Sequence, residues 1–187
     1  MYVTQRRLPH FHATGVPVFV TFRLHGSLPS GRHFTRDTMN SGQAFVHLDR
    51  LLDRPGAGPL YLQVPEIAQL VLSRILQGDT ANYALHAWVV MPNHVHMLIT
   101  PLSNVSSLMQ RLKGATAREA NRQLGRSGTP FWQHESYDRL VRDAREFRRI
   151  ENYIIQNPVR AGLSASPETF RWSSAWLAGG GLKPAAS

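Results

Sequence analysis

The order of strand-like and helix-like stretches predicts an α+β protein, an antiparallel sheet with helices packed on one side. Three observations carry this. Residues Val16 to Leu24, Tyr83 to Met91 and His94 to Thr100 are short runs rich in β-branched and aromatic residues, bounded by turn formers. Two helical patterns separate the first run from the second, whereas only Pro92-Asn93 joins the second to the third, so those two are antiparallel neighbours. A long amphipathic stretch, a short strand and a last helix follow. This order best fits a ferredoxin-like sheet with an extra helical insertion after the first strand, about residues 26–80.

The elements follow in order. The first strand alternates through Val18-Phe19-Val20-Thr21-Phe22 and stops at His25-Gly26-Ser27. Helices are expected over about Thr35 to Leu52 and Pro65 to Leu76, divided by Arg54-Pro55-Gly56-Ala57-Gly58-Pro59, with Pro65 and Glu66 suited to a first turn. Ser103 to Leu124 places Val105, Leu108, Leu112 and Ala115 on one face and Arg111, Lys113, Arg118 and Arg122 on another. Short extended pieces at Phe131-Trp132-Gln133 and Tyr137 to Val141 lead to Asp143-Ala144-Arg145-Glu146, a capping box opening a helix to about Gln156. Pro158 is expected to end it, since proline disfavours helical geometry in the residue before it. Residues 1–175 read as a single domain and 176–187, with Gly179-Gly180-Gly181, as a loose tail.

Composition narrows the chemistry. Among 187 residues there is no cysteine, which excludes disulfides, thiolate metal sites and a cysteine nucleophile. No apolar run reaches membrane-spanning length and the start lacks a signal-peptide core, so a soluble, cytoplasmic protein is expected. The formal charge of +9 is almost wholly arginine, only Lys113 and Lys183 being lysines. Arginine's planar fork suits phosphate and points to a polyanion, although net charge alone fits a merely soluble surface as well.

His94 and His96 lie in a strand-like run, so their side chains share one face and can grip one metal ion. On a helix the same spacing would set them roughly 200° apart. Tyr153 and Asn157, at i and i+4, stack on one helix face beside the apolar stripe Phe147, Ile150 and Ile154. Two imidazoles and an amide oxygen holding Mg²⁺ or Mn²⁺, with a phenol beside them, make a device for attacking a phosphodiester. The metal is needed, because a free tyrosine with a pKa of ~10 is only about 0.1% ionised at neutral pH.

Trp88-Val89-Val90-Met91-Pro92-Asn93-His94-Val95-His96 and Tyr153-Ile154-Ile155-Gln156-Asn157-Pro158-Val159-Arg160-Ala161-Gly162-Leu163 resemble the histidine and tyrosine-helix signatures of the REP-associated tyrosine transposases, within the single-tyrosine HUH superfamily. Arg6-Arg7-Leu8-Pro9-His10 and Phe131-Trp132-Gln133 are similar as well, so the resemblance spans about residues 5–175. It implies cleavage of single-stranded DNA beside a short hairpin, a divalent ion held by His94, His96 and Asn157, and Tyr153 as nucleophile, leaving a 5′-phosphotyrosine and a free 3′ hydroxyl. The chain departs from the pattern of the mobile relatives in its long 26–80 segment and in having asparagine at 157, where they commonly carry glutamine. Those relatives act as dimers; the REP-associated branch resembles a protein that completes its site within one chain, so monomer and homodimer both stand.

Rival readings accompany each residue. His86 reads as a satisfied histidine supporting the site, and Tyr137, the competing nucleophile, as core or a stacking surface because no amide or acid lies at helical spacing from it. Arg111, Lys113, Arg118, Arg122, Arg142, Arg145 and Arg149 are candidate phosphate contacts or a solvated face paired with Glu119, Glu146 and Glu151. Trp132 is a candidate for stacking an unpaired base or for the core. Two other functions share the motifs: a non-catalytic nucleic-acid-binding protein descended from a transposase, and a phosphodiesterase that uses water.

Overall fold

The computed structural model describes residues 14–28, 49–53 and 58–181. Most of the helix expected over 35–52 lies outside them; residues 49–52 are helical. Four strands, β1 (Val18–Arg23), β2 (Tyr83–Val90), β3 (His94–Pro101) and β4 (Tyr137–Leu140), form one antiparallel sheet in the order β2-β3-β1-β4. With α1 (Pro65–Gly78) between β1 and β2, and α2 (Val105–Gln123) between β3 and β4, this is the ferredoxin-like arrangement. Two later helices follow, α3 (Ala144–Arg160) and α4 (Ser174–Ala178).

Alternation along the central strands decides which helix lies where. Val18, Val20 and Phe22 of β1 and Val95, Met97 and Ile99 of β3 pack with Ile67, Val71 and Ile75 of α1 and Val105, Leu108 and Met109 of α2. The opposite face presents Phe19 and Leu98, which meet Ile150 and Ile154 of α3. Helices on one side therefore holds for α1 and α2, while α3 covers the other face. The reason is that both faces of the sheet carry large apolar side chains, Phe19 and Leu98 on the α3 side beside the polar Thr21, Arg23, His94 and His96, so neither can be left to water.

Local chemistry sets the boundaries. Asp143 caps α3, its Oδ1 accepting from Glu146 N at 2.7 Å, and Asn104 caps α2 by accepting from Ser107 N at 3.1 Å. Contrary to the expectation from Pro158, α3 continues to Arg160 with the proline inside it. Proline lacks only the N–H that would have met the Ile154 carbonyl, and the turn beyond is kept by Ala161 N on Asn157 O (3.0 Å) and Leu163 N on Pro158 O (2.8 Å). Just before the expected tail, Ser173 caps α4 and bridges to Val89, and Trp172 O accepts from Val90 N, so this segment shields the β2 edge; α4 runs into the first tail residues, to Ala178, and 182–187 lie outside the described residues.

Candidate active site

The β1–β3 register sets the site. Thr21 pairs with His96 and Arg23 with His94, so the two imidazoles emerge on the face that α3 covers, in a column with Leu98. Each ring is anchored through its far nitrogen. His96 Nδ1 meets Thr21 Oγ1 at 2.7 Å and His94 Nδ1 meets Asn93 Oδ1 at 2.7 Å. The Asn93 amide nitrogen donates to Leu52 O at 2.8 Å, so its oxygen faces His94 and the ring proton sits on Nδ1. His94 Nε2 consequently points a lone pair at His96 Nε2, 3.1 Å away.

Asp49 closes the site from the helical residues 49–52. Its Oδ1 lies 3.1 Å from His96 Nε2 and 3.6 Å from His94 Nε2. Its Oδ2 accepts a hydrogen bond from the Tyr153 hydroxyl and another, at 3.2 Å, from Asn157 Nδ2. One carboxylate thus joins the histidine strand to the tyrosine helix. The Tyr153 ring is set edge-on to His96 (centroids 5.8 Å apart) and Phe19 (6.2 Å), and the Arg160 guanidinium lies over it at 4.0 Å.

Burial dominates the electrostatics. It pushes the Asp49 carboxyl up, but the charge and hydrogen bond of His96, with His94 and the Tyr153 hydroxyl, outweigh it and hold the group well below the usual carboxylate range. Burial and then His96 push His94 down to about 3, leaving it neutral and able to ligate. Burial and then the Asp49 charge push the Tyr153 phenol above its ordinary value, with Arg160 opposing. Asp53, next to this cluster, is raised to about 6 by burial and the Asp49 charge.

The donor set fits a divalent cation. Asp49, His94 and His96 each offer a ligand atom, all within 4.8 Å of one another. Asn157 Oδ1 is buried and accepts no hydrogen bond from a described residue, as expected of an oxygen reserved for a cation. Two imidazoles with their far nitrogens anchored and a carboxylate, with an amide oxygen near them, make a donor set that could hold a metal ion.

His94, His96, Tyr153 and Asn157, all expected from the sequence, come together here. Asp49, Thr21 and Asn93 were not foreseen; for Asp49 the only hint is an acid on the side of a helix that also carries Leu52. The expected DNA contacts do not converge on the site. Arg111, Lys113, Arg118 and Arg122 belong to α2, on the sheet face away from the histidines. Lys113 is turned inward, donating to Gln133 O and His134 O at 2.7 Å each, and Arg122 pairs with Glu119 at 3.1 Å through Nε. Of its two readings Trp132 has the core placement: its Nε1 donates to Thr116 Oγ1 at 2.8 Å and its ring meets Phe22 and Phe131 edge-on within the cluster under α1 and α2. Arg142 and Arg149, with Arg139, surround the buried Glu146 carboxylate, and Arg145 is exposed on the first turn of α3. His86 is satisfied by Thr100 Oγ1 at 2.8 Å, and Tyr137 is buried edge-on to Phe19.

Residues 67–157 match the family model described as Transposase IS200 like, and this segment contains β2, β3, His94, His96, Tyr153 and Asn157. Among solved structures the chain is similar to a REP-associated tyrosine transposase bound to a REP hairpin, at 16% identity and TM-score 0.60, over 98% of this chain and 92% of the other. At that identity the likeness shows a common fold. A proposed transposase from Deinococcus radiodurans R1 aligns at 15% identity over 84% of this chain and 98% of its own, with TM-score 0.34. No curated protein matches the sequence. Among the described residues no helix is long and apolar enough to cross a membrane.

Proposed function

We propose that this chain, which carries an IS200-like transposase domain over residues 67–157 and has the fold of a REP-associated tyrosine transposase, is a metal-dependent single-stranded DNA endonuclease and strand transferase acting at hairpin repeats. The observation that carries the reading is the meeting of Tyr153 and Asn157 with His94 and His96 around Asp49, all from one chain. His94, His96 and Asp49, with Asn157 Oδ1, would hold Mg²⁺ or Mn²⁺. Such a cation draws electron density from a phosphodiester's non-bridging oxygens and offsets the Asp49 charge.

The residues themselves do the rest. Phe19, His96 and Arg160 fix the Tyr153 ring, and Asp49 Oδ2 orients the hydroxyl toward the histidine pair and is placed to take its proton. The Tyr153 oxygen bonds to phosphorus, the bond to the 3′ oxygen breaks, and that oxygen leaves as a 3′ hydroxyl after taking a proton from water. The 5′-phosphotyrosine conserves the bond energy for transfer to another strand. A monomer suffices for the first step, and the DNA substrate puts the protein at the nucleoid.

The test mixes the protein and Mg²⁺ with labelled single-stranded hairpin oligonucleotides copied from repeats flanking its gene and looks for a denaturation-resistant adduct. Wild type forms it; Tyr153→Phe and His96→Ala do not. Cutting without an adduct would make water the nucleophile, and tight binding with intact DNA under Mg²⁺ and Mn²⁺ would make this a binding protein.

A further inference from the structure

Tyr153, Asn157 and Arg160 stand at i, i+4 and i+7 of α3 and so share one face. The first two reach Asp49; the third is exposed, yet its guanidinium carbon lies over the tyrosine ring, 4.0 Å from the centroid. Among the described residues Phe19 and His96 also meet the ring, edge-on and from the sheet. Arg160, exposed near the end of α3, thus reaches the phenol from the helix, whereas Phe19 and His96 reach it from the sheet. Asp49 and Asp53 put negative charge into this site, which must nevertheless admit a phosphodiester anion. A guanidinium carries five N–H donors in a planar fork, so one that lies by the ring and reaches the phenol oxygen keeps other donors for phosphate oxygens.

We infer that Arg160 is the phosphate-holding residue of the tyrosine reaction, its guanidinium gripping the non-bridging oxygens of the phosphodiester that Tyr153 attacks. The inference rests on the nuclease reading above. In the reaction the Tyr153 oxygen–phosphorus bond forms and the phosphorus–3′ oxygen bond breaks, while Arg160 stays protonated and meets the charge that grows on the other oxygens. A basic residue in the last turn of a helix is also a stabilising partner for the helix dipole, and the experiment must separate that from phosphate contact.

The measurement is the rate of adduct formation at saturating hairpin oligonucleotide with Mg²⁺, alongside hairpin affinity and melting temperature. Wild type, Arg160→Gln and Arg160→Lys are compared, with Arg74→Gln, an exposed α1 residue, as the control for lost charge. Each acts on a natural scissile phosphate and on a neutral methylphosphonate at the same position. On natural DNA Arg160→Gln slows the adduct about 100-fold or more, Arg160→Lys falls between it and wild type, and Arg74→Gln matches wild type. Affinity changes far less than rate. On the methylphosphonate the gap between wild type and Arg160→Gln shrinks to under about tenfold, because there is less charge to meet. An unchanged rate for Arg160→Gln, or an equal loss on both substrates accompanied by a lower melting temperature, overturns the assignment and leaves Arg160 a helix-end residue. If wild type forms no adduct at all, the nuclease reading falls and this assignment falls with it.

Discussion

Asp49 illustrates how a single carboxylate organises a site. Its two oxygens divide the work, Oδ1 toward the imidazoles and Oδ2 toward the phenol and amide, so removing it separates the histidines from α3. Thr21 acts at one remove. Its hydroxyl fixes the His96 ring through Nδ1, and partners of this kind commonly change metal affinity by 10–100-fold. Thr21→Val, nearly the same shape, is therefore expected to weaken Mn²⁺ binding by about 10–100-fold, read by calorimetric titration, with the fold retained. A variant binding Mn²⁺ as wild type does would show that the ring needs no anchor. The histidines, Tyr153 and Asn157 were legible because strand and helix periodicity place each pair on one face. Asp49 was not, since its distance from His94 along the chain hides a contact that only tertiary folding makes, and a lone acid among leucines carries no spacing signal.

At the scale of elements, the strands and α1–α3 were legible from alternation, caps and breakers, and the errors have local causes. Pro158 looks like a stop in the sequence, but two residues before the helix end it removes one hydrogen bond and the turn beyond survives. Trp132 was ambiguous because an aromatic beside a glycine-rich turn fits a stacking platform as well as a core; the Thr116 hydroxyl, which receives its N–H, decides for the core. Lys113 was counted with a basic face, yet it fastens α2 to the segment before β4. Burial, with Arg23 nearby, pushes its ammonium down to about 8. Between that value and the ordinary lysine range near 10.4 the unfolded chain keeps a proton that the folded protein has released, so stability from this group rises with pH across the window. The stability advantage of wild type over Lys113→Met is expected to widen from pH 7.5 to 10 by an amount on the order of 1 kcal/mol, measured by urea unfolding. A constant difference would mean the ammonium stays charged throughout.

For the molecule as a whole, a cation bound by Asp49, His94, His96 and Asn157 would link the sheet, α3 and the segment before α1. Such a ligand stabilises the folded state by about 2.7 kcal/mol at a concentration 100 times its dissociation constant. Mn²⁺ is expected to raise the melting temperature of wild type by several degrees, reversed by chelator, and to leave His94→Ala unmoved. An equal rise in both proteins would place the metal elsewhere.

The alternation of β3 has one more consequence. Val95, Met97 and Ile99 are locked into one apolar cluster while His94, His96 and Leu98 look into the other, so a slip of one residue against β1 would carry both imidazoles into hydrocarbon and turn Val95 and Met97 toward Tyr153. Misregistered chains therefore pay in the core before they can misassemble the site. The accuracy with which two nitrogens face each other is inherited from packing on the far side of the sheet, and variation among those core residues is a hidden control on the chemistry.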